Sequence, residues 1–187
     1  MIAQSSFRKL SRPEKYWVIS HPIIAKKAQR ISKQIVIDVD SIKKSGIIGT
    51  DNNGGKLDAF KHAYWMAFLR LEIGSKKALK LGKAHEKGNY LQWKKHELEG
   101  SILPDSISSE MDLKNNEVGA FCFGNCTTIR SKTEIQGKIF RALKEGKLFT
   151  IKKDANGNYL TCNQEVINLK QWAGKWDVPK CIVPSNE

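Results

Sequence analysis

The chain reads as a mainly α, single-domain helical bundle with one small β-hairpin near its C-terminus. Its 187 residues, 40% of them hydrophobic, can fill one core but not two. Apolar residues recur at three- and four-residue spacing through several segments bounded by Gly or Pro. Near Asn156-Gly157, short β-branched and aromatic runs face each other across a turn dipeptide. Residues 1–187 are therefore expected to form one domain. Its motif-bearing helical core covers about 13–120, and a helix, the hairpin and a last helix cover about 127–180.

Pro13 suits a first helical turn. From there Trp17, Val18, Ile24, Ala25, Ala28 and Ile31 keep helical spacing, but His21-Pro22 must break it, so two helices are expected to meet near Pro22. Ile35 to Ile42, rich in β-branched residues, fits either a strand or a continued helix. Gly49 to Gly55 is a loop by composition. Asp58 to Ile73 is the strongest helical stretch: Ala59, Ala63 and Ala67 form a small stripe that lets another helix approach, while Leu57, Phe60, Phe68 and Leu71 supply bulk.

Gly74-Ser75 ends that helix, and the next, Lys76 to Glu86, is expected to stop at Gly88-Asn89. Residues 88–105 are polar and punctuated by Gly100 and Pro104. Ser106 or Ser108 can cap a helix running to about Gly119, with Glu110 assisting its start. Thr133 to Lys144 is amphipathic and ends at Gly146. Leu148 to Ile151 and Tyr159 to Cys162 are the expected arms of the hairpin, and Gln164 to about Trp172 a closing helix.

A formal net charge of +13, spread from Arg8 to Lys180, raises the local concentration of anionic partners such as nucleic acid, phospholipid head groups or acidic glycans. It suits a plain soluble surface equally well. No window approaches the roughly 20 apolar residues of a membrane span. The N-terminus lacks the apolar core of a secretory signal. The expectation is a cytoplasmic protein, one that leaves by a route without a cleaved signal, or one already relieved of a leader.

Cys122, Cys126, Cys162 and Cys181 permit two disulfides or buried thiols. Cys122 and Cys126 are spaced more loosely than a zinc ribbon, and no second close pair completes such a site.

Several motifs fail on their spacing. Gly49 to Lys56 lacks the first Gly of a phosphate loop, and Leu57 follows its Lys. Asp154, Asn156, Asn158 and Glu165 match positions of a calcium loop, but Tyr159 stands where Gly is required. Neither His85-Glu86 nor His96-Glu97 continues into a His-Glu-x-x-His helix.

One constellation remains. Asp58 and His62 lie four apart on one helical face, where a carboxylate fixes the tautomer of an imidazole and raises its basicity. Asp112 and Asn116 repeat the spacing on another expected helix, and His85-Glu86 closes a third. Were these to converge, His62, Asp58, His85 and Glu86 would be the catalytic groups. Asn116, Asn115 and Lys61 would bind substrate, and Asp112, His62 and His85 would hold a divalent metal ion. Each residue also has a structural reading: Asp58 as a helix cap, His62 as a core histidine, His85-Glu86 as a solvated helix end, and Asp112 with its asparagines as loop braces.

Pro13-Glu-Lys-Tyr-Trp-Val-Ile-Ser-His-Pro22, Asp58-Ala-Phe-Lys-His-Ala-Tyr-Trp65, Ala84-His-Glu86 and Met111-Asp-Leu-Lys-Asn-Asn-Glu-Val-Gly119 together resemble an uncharacterised bacterial domain family. Its members carry Asp-Ala-Phe-Arg-His-Ala-Tyr-Trp, Ala-His-Glu and Met-Asp-Leu-His-Asn-Asn-x-x-Gly in the same order. The match covers about residues 13–120; Lys61 replaces an Arg and Lys114 a His that could ligate metal. The resemblance implies a bacterial source and a secreted or toxin-like protein; the expected partners are an anionic substrate or surface and a cognate inhibitor protein. A weaker similarity links Gly49 to His62 with secreted phospholipases A2, whose calcium loop precedes a helix with a catalytic His. Here Ala63 follows the His where that family has Asp.

The expected function is a toxin- or effector-like hydrolase with a His/carboxylate, metal-assisted site acting on phospholipid, nucleic acid or cell-wall polymer. The alternative is a non-enzymatic basic module that binds an anionic partner, its polar motifs bracing helix junctions.

Overall fold

The computed structural model describes residues 7–51, 53–95, 104–124 and 131–187. Among the described residues six helices pack together with a small two-stranded antiparallel sheet: α1 (Arg12–Ser20), α2 (Pro22–Ser45), α3 (Lys56–Ile73), α4 (Ser75–Lys95), α5 (Ser106–Phe121), α6 (Lys132–Lys144), β1 (Phe149–Ile151) and β2 (Ile182–Pro184). None of the described helices is long and apolar enough to cross a membrane.

A capping box starts α1: Ser11 accepts from the Glu14 amide, and Glu14 accepts from the Ser11 amide. His21 and Pro22 divide α1 from α2 as expected, with Pro22 at the first position of α2. The ambiguous Ile35 to Ile42 stretch is helix. Its β-branched residues alternate between the core side, with Ile35, Val39 and Ile42 buried, and the exposed Val36 and Ile37.

Helix α3 is the central element, packed against α2, α4, α5 and α6. Leu57, Phe60, Ala63, Tyr64, Met66, Ala67 and Leu69 are all buried, so nearly every side of the helix faces protein. One core cluster joins it to Ile35, Val39, Ile139 and Leu143, and a second joins it to Trp17, Ala28, Ala78 and Leu81. The alanine stripe serves the α5 crossing. A Cβ on Gly119 would stand 2.0 Å from the Ala63 carbonyl oxygen, so only glycine lets the two backbones approach this closely.

Helix α4 does not stop at Gly88-Asn89 but runs on to Lys95. The reason is packing: a Cβ on Gly88 would lie 2.5 Å from the Ser11 hydroxyl, so the glycine makes room for α1 rather than ending the helix. Residues 96–103 fall outside the described chain. At α5 the cap is Asp105, whose carboxylate accepts from the Ser108 amide at 2.9 Å, and neither expected serine takes that role. Ser131 and Glu134 box the start of α6.

The C-terminal region departs further from expectation. Asp154 to Asn158 does turn, its Asp154 carboxylate accepting from the amides of Asn156 and Asn158. That use of the carboxylate suits an Asx-type turn rather than a calcium loop. The arms after the turn make only the isolated bridge Lys153 to Tyr159. The ladder partner of β1 is instead β2, in the register Phe149 to Pro184, Thr150 to Val183 and Ile151 to Ile182. Gln164 to Trp172 is a series of turns and not a helix. Its Ile167 packs with Met111, Ile151, Tyr159 and Val178 in a third cluster, and a bridge from Leu160 to Val166 takes up backbone groups a helix would need. Cys162 and Cys181 form a disulfide. Cys122 is a half-buried thiol, its pKa pushed up to about 11 by burial, and Cys126 lies outside the described residues.

Candidate functional site

Asp58 and His62 sit one turn apart on α3, and Asp112 faces them from α5. His62 Nε2 is 3.3 Å from Asp112 Oδ1 and 3.7 Å from Asp58 Oδ1. The Gly119 to Ala63 contact sets this approach, since a wider crossing would carry Asp112 away from α3.

Asp58 holds two jobs. Its Oδ2 accepts from the Gly54 amide at 2.9 Å, tying the glycine loop to the helix start, while Oδ1 takes the Lys61 ammonium at 2.5 Å. Gly54 has φ of 78°, which favours glycine, and a Cβ there would also meet Ile151 at 2.8 Å. The C-terminal region holds this loop from outside: the Ile151 amide donates to Gly54 O at 2.7 Å, and Lys153 Nζ and the Tyr159 hydroxyl donate to Asn53 O. Asp58 is therefore not the helix cap, which is Gly55; from the first turn of α3 it ties the preceding loop down while it faces His62.

Around this centre lie buried side-chain atoms without a well-formed hydrogen bond: His62 Nδ1, Asp112 Oδ1, both amide atoms of Asn116, Glu86 Oε1 and Ser109 Oγ, with Asn116 close enough to His62, and Ser109 to Glu86, to interact weakly. Elsewhere among the described residues only Arg70 and Trp93 contribute such atoms. Asp112 is 8% exposed, His62 4% and Asn116 1%. The 3.3 Å approach of Nε2 to Asp112 is close but not aligned as a hydrogen bond. Leaving a buried polar group unpaired costs about 1–3 kcal/mol, so the concentration of such groups in one place marks a site shaped for something other than stability.

The charges agree. Burial, then the Lys61 and His85 charges, push His62 well below the ordinary histidine pKa, so its imidazole is neutral at neutral pH. Burial, then the neighbouring Asp58 and Glu86, push Asp112 well above the carboxylate range. Glu86 is raised chiefly by burial, against the His85 charge and an Asn89 hydrogen bond. For Lys61 burial is outweighed by Asp58, Asp112 and Glu86, which raise it. Three carboxylates thus crowd one ammonium.

Asp58, His62 and Asp112 could hold a metal ion, since one ligand atom from each lies within 4.8 Å of the others. Two carboxylates and an imidazole are a donor set for a divalent cation, and such a charge would relieve the crowding of carboxylates that raises Asp112.

The other expected residues divide. Asn116 and Glu86 stand at the centre, and Lys61 beside it. His85 does not join the metal group: its Nδ1 pairs with Glu14 Oε1 at 3.0 Å, and its ring meets Trp65 edge-on at 5.8 Å. Asn115 is committed to structure, donating to Phe149 O and accepting from the Phe149 amide, both at 2.9 Å. Lys114 pairs with Glu110 and lies over the Phe149 ring. Glu14 went unnoticed in the sequence. Its Ser-x-x-Glu spacing signals a capping box, but nothing local signals His85.

A groove of about 670 Å³ opens on the other side of His62, between α1, α2, α3 and α4. Its lining is chiefly apolar, with Trp17, Val18, Ala25, Val36, Trp65 and Leu81, and its polar lining includes Glu14, Lys61, His62 and His85.

Residues 15–147 match the model of a family described as a domain of unknown function, DUF6973, a span that takes in α2 to α6 and all of Asp58, His62 and Asp112. The chain belongs to the DUF6973 family. No curated protein and no solved structure matches it. The matched span ends before β1, so Ile151, Lys153 and Tyr159, which hold the Asn53-Gly54 loop, lie outside it.

Proposed function

We propose that this protein is a hydrolase of the toxin or effector type that uses the His62, Asp58 and Asp112 centre on an anionic substrate. The observation that carries the reading is the neutral, buried His62 imidazole set among unpaired polar atoms of Asp112, Asn116 and Glu86. A neutral imidazole can take a proton from water as the water attacks. Asp58, fixed by Gly54 and Lys61, holds the ring from one side, and Asp112 from the other. Lys61 offers a positive charge to an oxyanion that develops at the reacting centre, and Asn116, which approaches His62, can position water or substrate beside it. A divalent ion held by Asp58, His62 and Asp112 would instead take the His62 lone pair, and a more acidic bound water would then stand in for the imidazole base. The +13 charge draws anionic substrates to the surface.

The loop bond of Asp58 and the bracing of Phe149 by Asn115 favour a second reading, a binding module whose polar motifs hold helix junctions. The two separate on one experiment. The purified chain, His62→Ala and Asp112→Asn, each checked for folding by circular dichroism, are incubated with anionic phospholipid vesicles, nucleic acid and peptidoglycan. The hydrolase reading expects cleavage of one substrate, with losses of about 10²–10⁴-fold on removing the base. Equal cleavage by both variants, or binding with steep salt dependence and no cleavage, supports the module instead.

A further inference from the structure

The groove points to the substrate class. We infer that it holds one acyl chain of an anionic phospholipid and presents the ester end of that chain to His62, an inference that rests on the hydrolase reading above.

The walls are the first reason. Trp17, Val18, Ala25 and Leu81 line a space of about 670 Å³, within the roughly 300–1,000 Å³ of small-molecule sites. Such a surface leaves the many hydroxyl and phosphate groups of a nucleotide or a sugar without partners along its aliphatic walls, and it gains with each methylene it covers.

The second reason is polarity along the groove. Lys61 and His62 belong both to its lining and to the acid cluster. A bound chain therefore reaches the titratable centre at the point where its apolar part gives way to its carbonyl.

The rim is the third. Ile19 and Val36 line the groove yet are 65% and 68% exposed, and Ile23 beside them is 89% exposed. Lys26 and Lys33 stand exposed along the same helix. Exposed aliphatic residues of α1 and α2, with lysines of α2 among them, match the surface of an anionic bilayer, aliphatics entering the headgroup boundary and ammonium groups meeting phosphate.

The reaction closes without a further reagent. Water adds to the acyl carbonyl carbon while His62 takes one of its protons, the bond from that carbon to the glycerol oxygen breaks, and His62 returns the proton to the leaving alkoxide. The products are a fatty acid and a lysophospholipid.

The test uses the full chain with phosphatidylglycerol vesicles and, separately, a soluble butyrate ester. Co-sedimentation reports binding, and free acid reports turnover. Ala25→Trp fills the groove, and Ile23→Glu alters only the exposed rim, so it remains informative if the first variant folds poorly. The expected result is vesicle binding weakened about tenfold or more by either variant, about 1.4 kcal/mol. Absent vesicle binding, or binding undiminished in both folded variants, overturns the inference; butyrate cleavage lost in His62→Ala would then still uphold the hydrolase. Groove-dependent binding with no acid released from either ester upholds the acyl site and counts against hydrolysis.

Discussion

His62 Nε2 lies 3.3 Å from Asp112 Oδ1 across the crossing of α3 and α5, and this contact joins the folding of the protein to its chemistry. It exists because Gly119 lets the α5 backbone settle onto Ala63. It leaves a carboxyl group buried beside two others and a neutral imidazole beside an ammonium.

A divalent ion should therefore stabilise the protein. The expected shift follows RT ln(1 + [L]/Kd), or about 2.7 kcal/mol at a hundredfold excess over Kd. It should vanish in Asp112→Asn. Thermal melts with and without added Mn²⁺, Zn²⁺, Mg²⁺ or Ca²⁺ measure it, and no shift with any of the four removes the metal from the account.

Gly119→Ala should lower stability by about 1–3 kcal/mol or more, because the new methyl group meets backbone that cannot move aside. Urea unfolding measures the loss. The same variant should weaken whatever the Asp58, His62 and Asp112 group binds, as the crossing widens.

Lys180 is buried against Asp105, the cap of α5, with its ammonium 4.0 Å from the Tyr159 ring centroid. Lys180→Ala should cost about 3–5 kcal/mol by leaving the Asp105 carboxylate buried and unpaired. The double change Asp105→Asn with Lys180→Met keeps a capping side chain without the charge and should recover much of that loss in the same unfolding assay.

The Glu14 and His85 pair gives a pH signature. The Glu14 hydrogen bond, with the Glu86 charge, raises His85 against the partial desolvation of a side chain that stays 41% exposed. That contribution is complete below the unfolded histidine pKa of about 6.5 and is lost as pH rises through the raised value. Glu14 is lowered despite burial, by His85 and Ser11, so its contribution is lost as pH falls through the lowered value. His85→Gln should thus cost most in mildly acidic solution and less at alkaline pH, by no more than about 1 kcal/mol for so exposed a ring. Melting temperatures of both proteins across pH test the trend.

The helical layout was legible because α1, α2, α3, α5 and α6 carry their own signals: Pro22 at a helix start, glycines at ends, and apolar residues at helical spacing. Gly88 misled because its role is contact with Ser11 on another helix, which no local pattern records. The pairing of β1 with β2 was hidden for the same reason, since Ile182 to Pro184 finds its partner only after a long detour closed by Cys162 and Cys181. Within the site, Asp58 and His62 share one turn and could be read together. Asp112 was identified by repeating that spacing, but its contact with His62 depends on the helix crossing. His85 next to Glu86 suggested a single role, whereas a helix turns successive side chains in different directions: Glu86 faces the acid centre and His85 faces Glu14 in the groove.

The most direct test of the centre is Asp112→Asn, followed by melting temperature and hydrolysis on the same preparation. Asp112 is raised in the folded state, so its ionisation should destabilise the protein progressively as pH climbs from the unfolded carboxylate value, about 3.9, through the raised one. A functional centre predicts that the amide variant is as stable as the parent at low pH, more stable at neutral pH by about 2–4 °C for each kcal/mol gained, and inactive. A variant that is less stable at neutral pH and retains full hydrolysis would show Asp112 to be a structural brace and contradict the account.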